Sequence, residues 1–290
     1  MDVQSRPAEL RFKLTRVGVT GVKKPVSVSR PDKSITLTAV FDIYVDLPST
    51  MKGSHLSRNL EVVSEIVEEG VREPVPSLED LCSGIAKRLL QRHEYANYSE
   101  VRTRADYFLE RRTPLGKRTT ERYCLMASAV AHRGSVVAVR KSVGAEVLGM
   151  TACPCAMETI RHNMELEGKT ADEGVPVITH NQRNRTILLL EVPEGFDVEA
   201  DDIIDMVEES LSSPTYEILK RGDEAKVVER AHEEPRFVED VVREILARVL
   251  KRYADFPDDA EVWVRSESEE SIHKHNAVAE RTTTLGELRK

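Results

Sequence analysis

Two cysteines one residue apart form the most reactive motif of the chain. Cys153 and Cys155 flank Pro154 in the stretch TACPCAMETI. A disulfide demands a particular separation of two β-carbons, which residues so close in sequence do not reach easily. Metal ligation or thiolate chemistry is therefore the favoured interpretation. Burial of either thiol as a small apolar side chain is the alternative.

Two further segments combine histidine with acidic residues. His180 stands in THNQRNR ahead of an apolar strand, and SESEESIHKHNA places Glu270 three residues before His273. A carboxylate and an imidazole at this spacing provide an acid–base pair or metal ligands from one short segment. The alternatives are a surface histidine in the first segment and a solvated loop in the second.

Two glutamates lie between these segments. Glu224 follows a turn at Gly222, and Glu239 falls in the first turns of a predicted helix, where the helix dipole favours an anion. Cysteine, histidine and glutamate together form a sulfur, nitrogen and oxygen ligand set that suits Zn²⁺ or Fe²⁺ in hydrolysis. Simple solvation is the alternative for both glutamates.

Composition limits the class of protein. The 290 residues are 40% hydrophobic, which allows one large domain or two small ones. The formal charge of −8 argues against a nucleic-acid or anionic-membrane partner, and no glycine-rich phosphate loop is present. Four cysteines are too few for a secreted disulfide framework, and the N-terminus lacks the apolar core of a signal peptide. We therefore expect a cytoplasmic location.

Apolar periodicity predicts that the reactive residues lie on an α+β framework. The first half contains two strand-like runs within residues 10–47, followed by two amphipathic helices. These helices cover residues 58–71 and 77–93, with Ser77 as the N-cap of the second. Strand-like runs then cover residues 98–113, 118–132, 135–150 and 185–192.

The second half returns to helices before a final strand. Helical patterns cover residues 199–213 and 235–254, and the strand covers residues 260–270. Pro235 is expected in the first turn of the last helix. The two halves share the order strand, strand, helix, helix, strand and join near residues 112–120. This order predicts antiparallel sheets that carry helices on one face.

Six motifs together resemble the GTP cyclohydrolases of type IB and their archaeal relatives, which make the pterin precursor of methanopterin. They are DLPSTMKGSHLSRNLE, CPC, THNQR, LKRGDEAKVVERA, PRFVEDVVRE and ESIHKHNA, and they span nearly the whole chain. That family has the tunnelling fold, in which each module is an antiparallel sheet with two helices on one face. The resemblance implies two tandem modules, residues 1–115 and 116–290. It also implies a homo-oligomer, at least a dimer, with active sites at subunit interfaces.

The resemblance assigns roles to individual residues. It implies one Fe²⁺ per subunit, with Zn²⁺ or Mn²⁺ as substitutes, and the metal ligands are Cys153, His180 and Glu224. The implied catalytic residues are Cys153, its companion thiol Cys155, Glu270 and His273. Glu239 matches the glutamate that anchors guanine, because one carboxylate accepts two parallel hydrogen bonds from N1–H and the 2-amino group.

The triphosphate of GTP has a candidate site in MKGSHLSRN. Lys52, His55 and Arg58 could neutralise its charge, since arginine offers a planar fork of donors to phosphate oxygens. A solvated basic loop is the alternative for this segment.

The segment between CPC and HNQR bears on the product. Residues 156–179 are more numerous than we expect in folate-type enzymes, and they resemble the archaeal type. We therefore expect conversion of GTP to 7,8-dihydroneopterin 2′,3′-cyclic phosphate, formate and pyrophosphate. One alternative is a folate-type enzyme that leaves dihydroneopterin triphosphate. A more distant alternative is a non-catalytic oligomer of the same fold that binds metal and purine.

Overall fold

A computed structural model describes residues 3–30, 34–169 and 176–290 of the chain. Its strands are β1 (Leu14–Ser29), β2 (Ser34–Leu47), β3 (Tyr98–Arg112), β4 (Arg118–His132), β5 (Ala138–Ala152), β6 (Asn181–Glu191), β7 (Ser213–Pro214), β8 (Glu261–Glu269) and β9 (Ala277–Thr284). Its helices are α1 (Leu56–Arg72), α2 (Leu78–Arg92), α3 (Pro154–Leu166), α4 (Ala200–Ser210), α5 (Arg221–Glu233), α6 (Val238–Arg252) and α7 (Leu285–Leu288).

The strands hydrogen-bond in the order β1-β2-β3-β4-β5-β6-β8-β9, and β7 pairs with β5. The pairs β1–β2, β2–β3, β6–β8 and β8–β9 are antiparallel. This architecture confirms the α+β class that was predicted from apolar periodicity. Among the described residues, no helix is both long and apolar enough to cross a membrane.

Contacts divide the chain into two compact units. The first contains Met1–Tyr107, Leu125–Val143 and Glu191–Gly195, and the second contains Phe108–Cys124, Gly144–Leu190 and Phe196–Lys290. A module boundary between residues 115 and 116 stays a prediction.

The first unit has its own apolar core. Alternate residues of β2, including Phe41, Ile43 and Val45, are buried, as strand geometry requires of a face covered by helices. The buried faces of α1 and α2 include Val62, Ile85 and Leu89. Each such side chain contributes about 1.5–3 kcal/mol on burial. Ser77 caps α2 as predicted, because its Oγ accepts a hydrogen bond of 3.1 Å from the backbone N–H of Asp80.

The second unit has a separate core. Leu188 and Leu190 of β6 and Val262 and Val264 of β8 are fully buried. The helices α4 and α6 contact each other, and α6 also contacts β8 and β9. The buried face of α6 carries Val238, Val241, Val242, Ile245 and Val249 at helical spacing. This core supports the ends of β5, β6 and β8, where the reactive residues lie.

The element predictions differ from the structure in several places, and the short elements β7 and α7 are among those that were not predicted. Pro235 lies before α6 rather than in its first turn, because the helix begins at Val238 after the N-cap Phe237. Helix α5 was not predicted, since it buries only Asp223, Val227, Ala231 and His232 and has a weak apolar stripe. Strand β9 was also missed, because half of its side chains are exposed and they show no apolar alternation.

Candidate active site

A cavity of about 420 Å³ in the second unit is lined by five of the residues that were predicted to act chemically. These five are Cys153, His180, Glu239, Glu270 and His273. They come from the end of β5, the start of β6, the first turn of α6 and the β8–β9 loop. The structure therefore brings together motifs that are far apart in sequence.

Cys153 occupies the N-cap of α3, and Pro154 follows at the first helical position. Its Sγ accepts a hydrogen bond of 3.4 Å from the backbone N–H of Ala156. The N-terminal end of the helix dipole places partial positive charge beside this sulfur. Cys155 is exposed in the first turn of α3 and is not among the residues that line the cavity. Both cysteines are free thiols.

Two hydrogen bonds fix Cys153 against Thr179 and His180. The backbone N–H of Cys153 donates to the carbonyl of His180 at 3.0 Å. The hydroxyl of Thr179 donates to the carbonyl of Cys153 at 2.7 Å. The sulfur and the imidazole therefore share a cavity although α3 and its following segment separate them in sequence.

Imidazole and carboxylate groups cluster beside His180. The Nδ1 atom of His180 lies 3.6 Å from Oε2 of Glu270. The rings of His180 and His273 are nearly perpendicular with centroids 6.1 Å apart, and His273 stacks on His275 at 5.3 Å. Groups of this kind exchange protons with a bound substrate. No role was predicted for His275, although it lies in the same acidic and histidine-rich run as His273.

Glu239 lies in the first turn of α6, beside Phe237 and Val238 in the cavity wall. Asp240 accepts a hydrogen bond of 3.1 Å from the N–H of Phe237, which fixes the start of this helix. A carboxylate next to apolar side chains suits a flat heteroaromatic ring that carries N–H donors on one edge.

Glu224 is exposed in the first turn of α5 and is not among the cavity residues. Its neighbour Asp223 accepts a hydrogen bond of 3.0 Å from the N–H of Leu115, which holds this end of the helix at the β3–β4 turn. The opposite end of α5 approaches the site, since Nε2 of His232 lies 3.1 Å from the carbonyl of Thr179. Glu224 is therefore about 12 Å from His232 along the helix axis.

The three predicted metal ligands are not assembled within this one chain. Cys153 and His180 share the cavity, whereas Glu224 does not line it. In the part of the chain that the structure describes, no three or more His, Cys, Asp or Glu side chains form a cluster ready for a metal. The chemistry of the pair still fits a divalent cation, because a thiolate and an imidazole are typical ligands of Zn²⁺ and Fe²⁺. The complete ligand set stays a prediction.

The proposed phosphate residues lie in the first unit. His55 and Arg58 line a cavity of about 740 Å³ together with Met51 and Tyr95. Lys52 is not among its lining residues, and its backbone N–H donates to the carbonyl of Arg6 at 2.8 Å. The guanidinium of Arg58 donates to the carbonyl of Arg92 at 3.0 Å. The positive charge of this cavity is compatible with phosphate, and the assignment stays a prediction.

A buried histidine lies behind this basic cavity. His93 is fully buried, with Nδ1 at 2.9 Å from the Tyr95 hydroxyl and Nε2 at 2.7 Å from Oδ1 of Asn59. Burial, together with the positive charges of Arg58 and His55, lowers the pKa of His93 to about 4. The ring is therefore neutral near pH 7.

Sequence reasoning missed several polar residues at the cavity. Thr151, Gln182, Arg236 and Ser268 line it, and no role was predicted for any of them. One signal was available in the sequence. Gln182 lies at alternate spacing with Leu188 and Leu190 on β6, so a polar side chain falls on the face that carries the core.

The family of the chain follows from a match along nearly its whole length. A family model described as type I GTP cyclohydrolase folE2 matches residues 1–279. The chain therefore belongs to this family of GTP cyclohydrolases.

Individual relatives cover almost the entire chain. The chain is 47% identical to "GTP cyclohydrolase MptA" of Methanosarcina mazei, with 100% of this chain and 96% of the relative aligned. It is 45% identical to "GTP cyclohydrolase MptA 2" of Methanocella arvoryzae, with 99% and 97% aligned. For "GTP cyclohydrolase MptA" of Methanococcoides burtonii the identity is 47%, with 99% and 95% aligned.

Solved structures support the fold. The uricase of Arthrobacter globiformis superposes with a TM-score of 0.50 at 10% identity, covering 93% of each chain. A hyper-thermostable AgUricase mutant gives a TM-score of 0.52 at 9% identity, covering 93% of this chain and 91% of the other. At such low identity the likeness concerns the fold alone, and it confirms the α+β tunnelling fold.

Proposed function

We propose that this protein is a GTP cyclohydrolase that converts GTP to 7,8-dihydroneopterin 2′,3′-cyclic phosphate, formate and pyrophosphate in methanopterin biosynthesis. The observation that carries the proposal is the cavity of the second unit, where Cys153, His180, Glu239, Glu270 and His273 converge. Relatives named GTP cyclohydrolase MptA, at 43–47% identity over nearly full length, support this choice among cyclohydrolase reactions.

Glu239 supplies guanine recognition in this proposal. Its carboxylate accepts hydrogen bonds from N1–H and the 2-amino group, an edge that adenine does not offer. Phe237 and Val238 provide apolar surface for the faces of the ring. The preference for GTP over ATP then depends on the Glu239 side chain. Asp240 fixes the start of the helix that carries Glu239.

Cys153 and His180 are proposed to hold one divalent cation per subunit, Fe²⁺ in the natural enzyme with Zn²⁺ or Mn²⁺ as substitutes. Held by these two residues, such a cation would supply the Lewis acidity needed for hydrolysis at C8 of guanine. Cys155 stays the proposed companion thiol. Glu224 stays the proposed third ligand, and its exposure leaves it available to a neighbouring subunit.

Glu270 and His273 are proposed to move protons during ring opening. Attack of water on C8 requires that one proton leave the water and another reach a ring nitrogen. A second hydrolysis then releases C8 as formate. Both side chains border the cavity beside His180, which is the position that such transfers require.

We also propose a cytoplasmic homo-oligomer, at least a dimer, with active sites at the subunit interfaces. Exposed apolar side chains at and near the cavity support an interface there, since Phe237 is 42%, Ile272 65% and Val278 51% exposed. The basic cavity of the first unit supports binding of the triphosphate by His55 and Arg58, and Lys52 stays a proposed phosphate residue from the same segment.

Anaerobic incubation with GTP and Fe²⁺, Zn²⁺ or Mn²⁺ in turn tests the proposed function. We expect formate and pyrophosphate in equal amounts and a pterin whose mass corresponds to a single cyclic phosphate. ATP and the Cys153→Ala variant are the matched controls. An intact triphosphate on the pterin without pyrophosphate would support the folate-type reaction instead. The absence of formate with all three metals would leave a non-catalytic binding protein.

A further inference from the structure

A buried polar network lies directly behind the cavity. The inner face of β6 changes from Leu188 and Leu190 to amide and hydroxyl side chains as it approaches the cavity, and β8 changes in the same way from Val262 and Val264. The polar members from β5, β6 and β8 are all at most 8% exposed, and they are Thr151, Gln182, Asn184, Thr186, Ser266 and Ser268.

Hydrogen bonds connect these side chains to His180. Oε1 of Gln182 lies 2.9 Å from Nδ1 of His180, and Nε2 of Gln182 donates to Oγ1 of Thr151 at 3.1 Å. The Thr151 hydroxyl lies 2.7 Å from the Ser268 hydroxyl. Asn184 continues the chain, because its Nδ2 donates to Oγ of Ser268 at 3.0 Å.

The far end of the network is also fully bonded. Nδ2 of Asn184 donates to Oγ of Ser266 at 2.9 Å, and the Thr186 hydroxyl lies 2.6 Å from Oδ1 of Asn184. Buried polar groups without partners are costly, so such a network is stable only when its members satisfy one another. Apolar side chains on this face would avoid the desolvation cost of burying polar groups. We therefore infer that the polar side chains serve the cavity.

The surroundings of Nδ1 determine which nitrogen of His180 carries the proton. Oε2 of Glu270 lies 3.6 Å from Nδ1, too far for a good hydrogen bond but near enough to favour a proton on that nitrogen. A proton on Nδ1 requires an acceptor, so the Gln182 amide must present Oε1 rather than its NH₂ group. The Gln182 NH₂ group then needs the Thr151 oxygen that the structure provides.

We propose that Gln182 is a positioning residue that holds His180 as its Nδ1–H tautomer, and that the network through Thr151, Ser268 and Asn184 fixes the orientation of the Gln182 amide. The Nε2 atom of His180 is thereby left as the acceptor nitrogen. This proposal deepens the proposed function, since a histidine ligand binds a cation through its unprotonated nitrogen and is oriented by the bond at the other.

The tautomer can be measured without metal or GTP. In metal-free protein labelled with ¹⁵N-histidine, at about pH 8 where histidine is ordinarily neutral, the ¹⁵N shifts distinguish a protonated from an unprotonated ring nitrogen. His180→Gln identifies the His180 signals by their loss. We expect a protonated Nδ1 and an unprotonated Nε2 in the wild-type protein.

Gln182→Leu removes the acceptor while leaving an apolar side chain of similar length on a buried face. We expect the Nδ1–H fraction of His180 to fall and the affinity for Zn²⁺, measured by competition with a chelator, to drop about 10–100-fold. Gln182→Glu keeps an oxygen beside Nδ1 and is expected to keep the wild-type tautomer. Glu270→Gln is expected to lower the Nδ1–H fraction less than Gln182→Leu does, because that carboxylate lies beyond hydrogen-bond distance.

Thr186→Val separates positioning from general stability. It removes a hydroxyl at the far end of the same network, so we expect a loss of stability with an unchanged His180 spectrum. A folded Gln182→Leu protein with the wild-type His180 tautomer would overturn the proposal. If that variant fails to fold, the ¹⁵N spectrum of the wild-type protein still tests the proposal. A proton on Nε2 of His180 in that spectrum would exclude the Nδ1–H tautomer. These readouts are independent of whether GTP yields formate.

Discussion

Two histidines, one in each unit, are held by neighbouring amide side chains and differ in what remains available. His93 is fully buried, and both of its ring nitrogens have partners, the Tyr95 hydroxyl and Oδ1 of Asn59. His180 has Gln182 at Nδ1, and its ring borders the cavity of the second unit. The same kind of hydrogen bond thus completes a core in one unit and holds a ring at the border of a cavity in the other.

The difference separates a structural histidine from a candidate functional histidine. Burial and a hydrogen-bonded nitrogen are common to both residues. The distinguishing features of His180 are the cavity, the nearby thiol of Cys153 and the carboxylate of Glu270. A neutral ring with hydrogen-bond partners at both nitrogens has no nitrogen free for a metal, which is the condition of His93.

The largest expected effect comes from exchanging each histidine for alanine. His180→Ala should lose bound metal and reduce formate production from GTP to background, because it removes a proposed ligand. His93→Ala should keep the metal and lower the free energy of unfolding by roughly 1–3 kcal/mol for each partner left unbonded. Metal content and urea unfolding measure the two outcomes. Retention of a full equivalent of metal by His180→Ala would show that the two residues do not differ as described.

The proton-transfer residues should produce the next largest effect. Glu270→Gln and His273→Asn are each expected to reduce turnover by about 10²–10⁴ while the metal remains bound. Single-turnover rates together with metal analysis test this. Loss of metal from His273→Asn would instead identify that imidazole as a ligand.

Glu239→Gln should weaken GTP binding by roughly 2–4 kcal/mol, since the amide places a donor against the guanine N–H edge. The metal should stay in place. Glu244→Gln is a suitable control, because Glu244 is an exposed glutamate on the same helix. Isothermal titration with GTP and ATP measures the change. Unchanged affinity and unchanged preference for GTP would remove Glu239 from the purine site.

Lowering the pH should destabilise the first unit through protonation of His93. The pKa of His93 is about 4 in the folded protein, below its ordinary value of 6.5, so the unfolded state binds the proton more tightly. The contribution of neutral His93 to the free energy of unfolding is therefore present above pH 6.5 and is lost as the pH falls toward 4. We expect a loss of roughly 1–3 kcal/mol over this window. Comparing the free energy of unfolding of the wild-type protein and of His93→Gln at pH 7 and pH 4.5 isolates the contribution of His93. An identical pH dependence in the two proteins would contradict this prediction.

Arg58→Gln should have the smallest effect and link the basic cavity to His93. After burial itself, the charge of Arg58 is the largest influence that lowers the pKa of His93. Its removal should therefore raise that pKa toward the ordinary value. An NMR titration of His93 measures the change, with Arg92→Gln as the control, since Arg92 lines the same cavity. A pKa of His93 that stays fixed in Arg58→Gln would mean that the charge of Arg58 does not influence this histidine.

Local pattern predicted those parts of the fold in which one face is buried. The helices around Val63 and Ile245 and the cap at Ser77 follow from apolar periodicity and side-chain chemistry. Helix α5 and strand β9 escaped prediction because their side chains are largely exposed, so neither has a strong period.

The candidate site was predictable to the extent that its residues form motifs. The resemblance selected Cys153, His180, Glu239, Glu270 and His273, which the structure gathers around one cavity. The position of Glu224 depends on how α5 is anchored, through Asp223, to a distant turn, which no local pattern encodes. The partners of Gln182 likewise come from other strands, so only the paired sheet reveals them.

The pair of bonds that joins Cys153 to residues 179 and 180 has a consequence for evolution. It closes residues 154–179 into a loop whose two ends are fixed independently of its length. The entropy of closing a loop grows slowly, by about 0.6 kcal/mol for each doubling of length. Insertions and deletions within this segment can therefore accumulate while the sulfur and the imidazole stay in register.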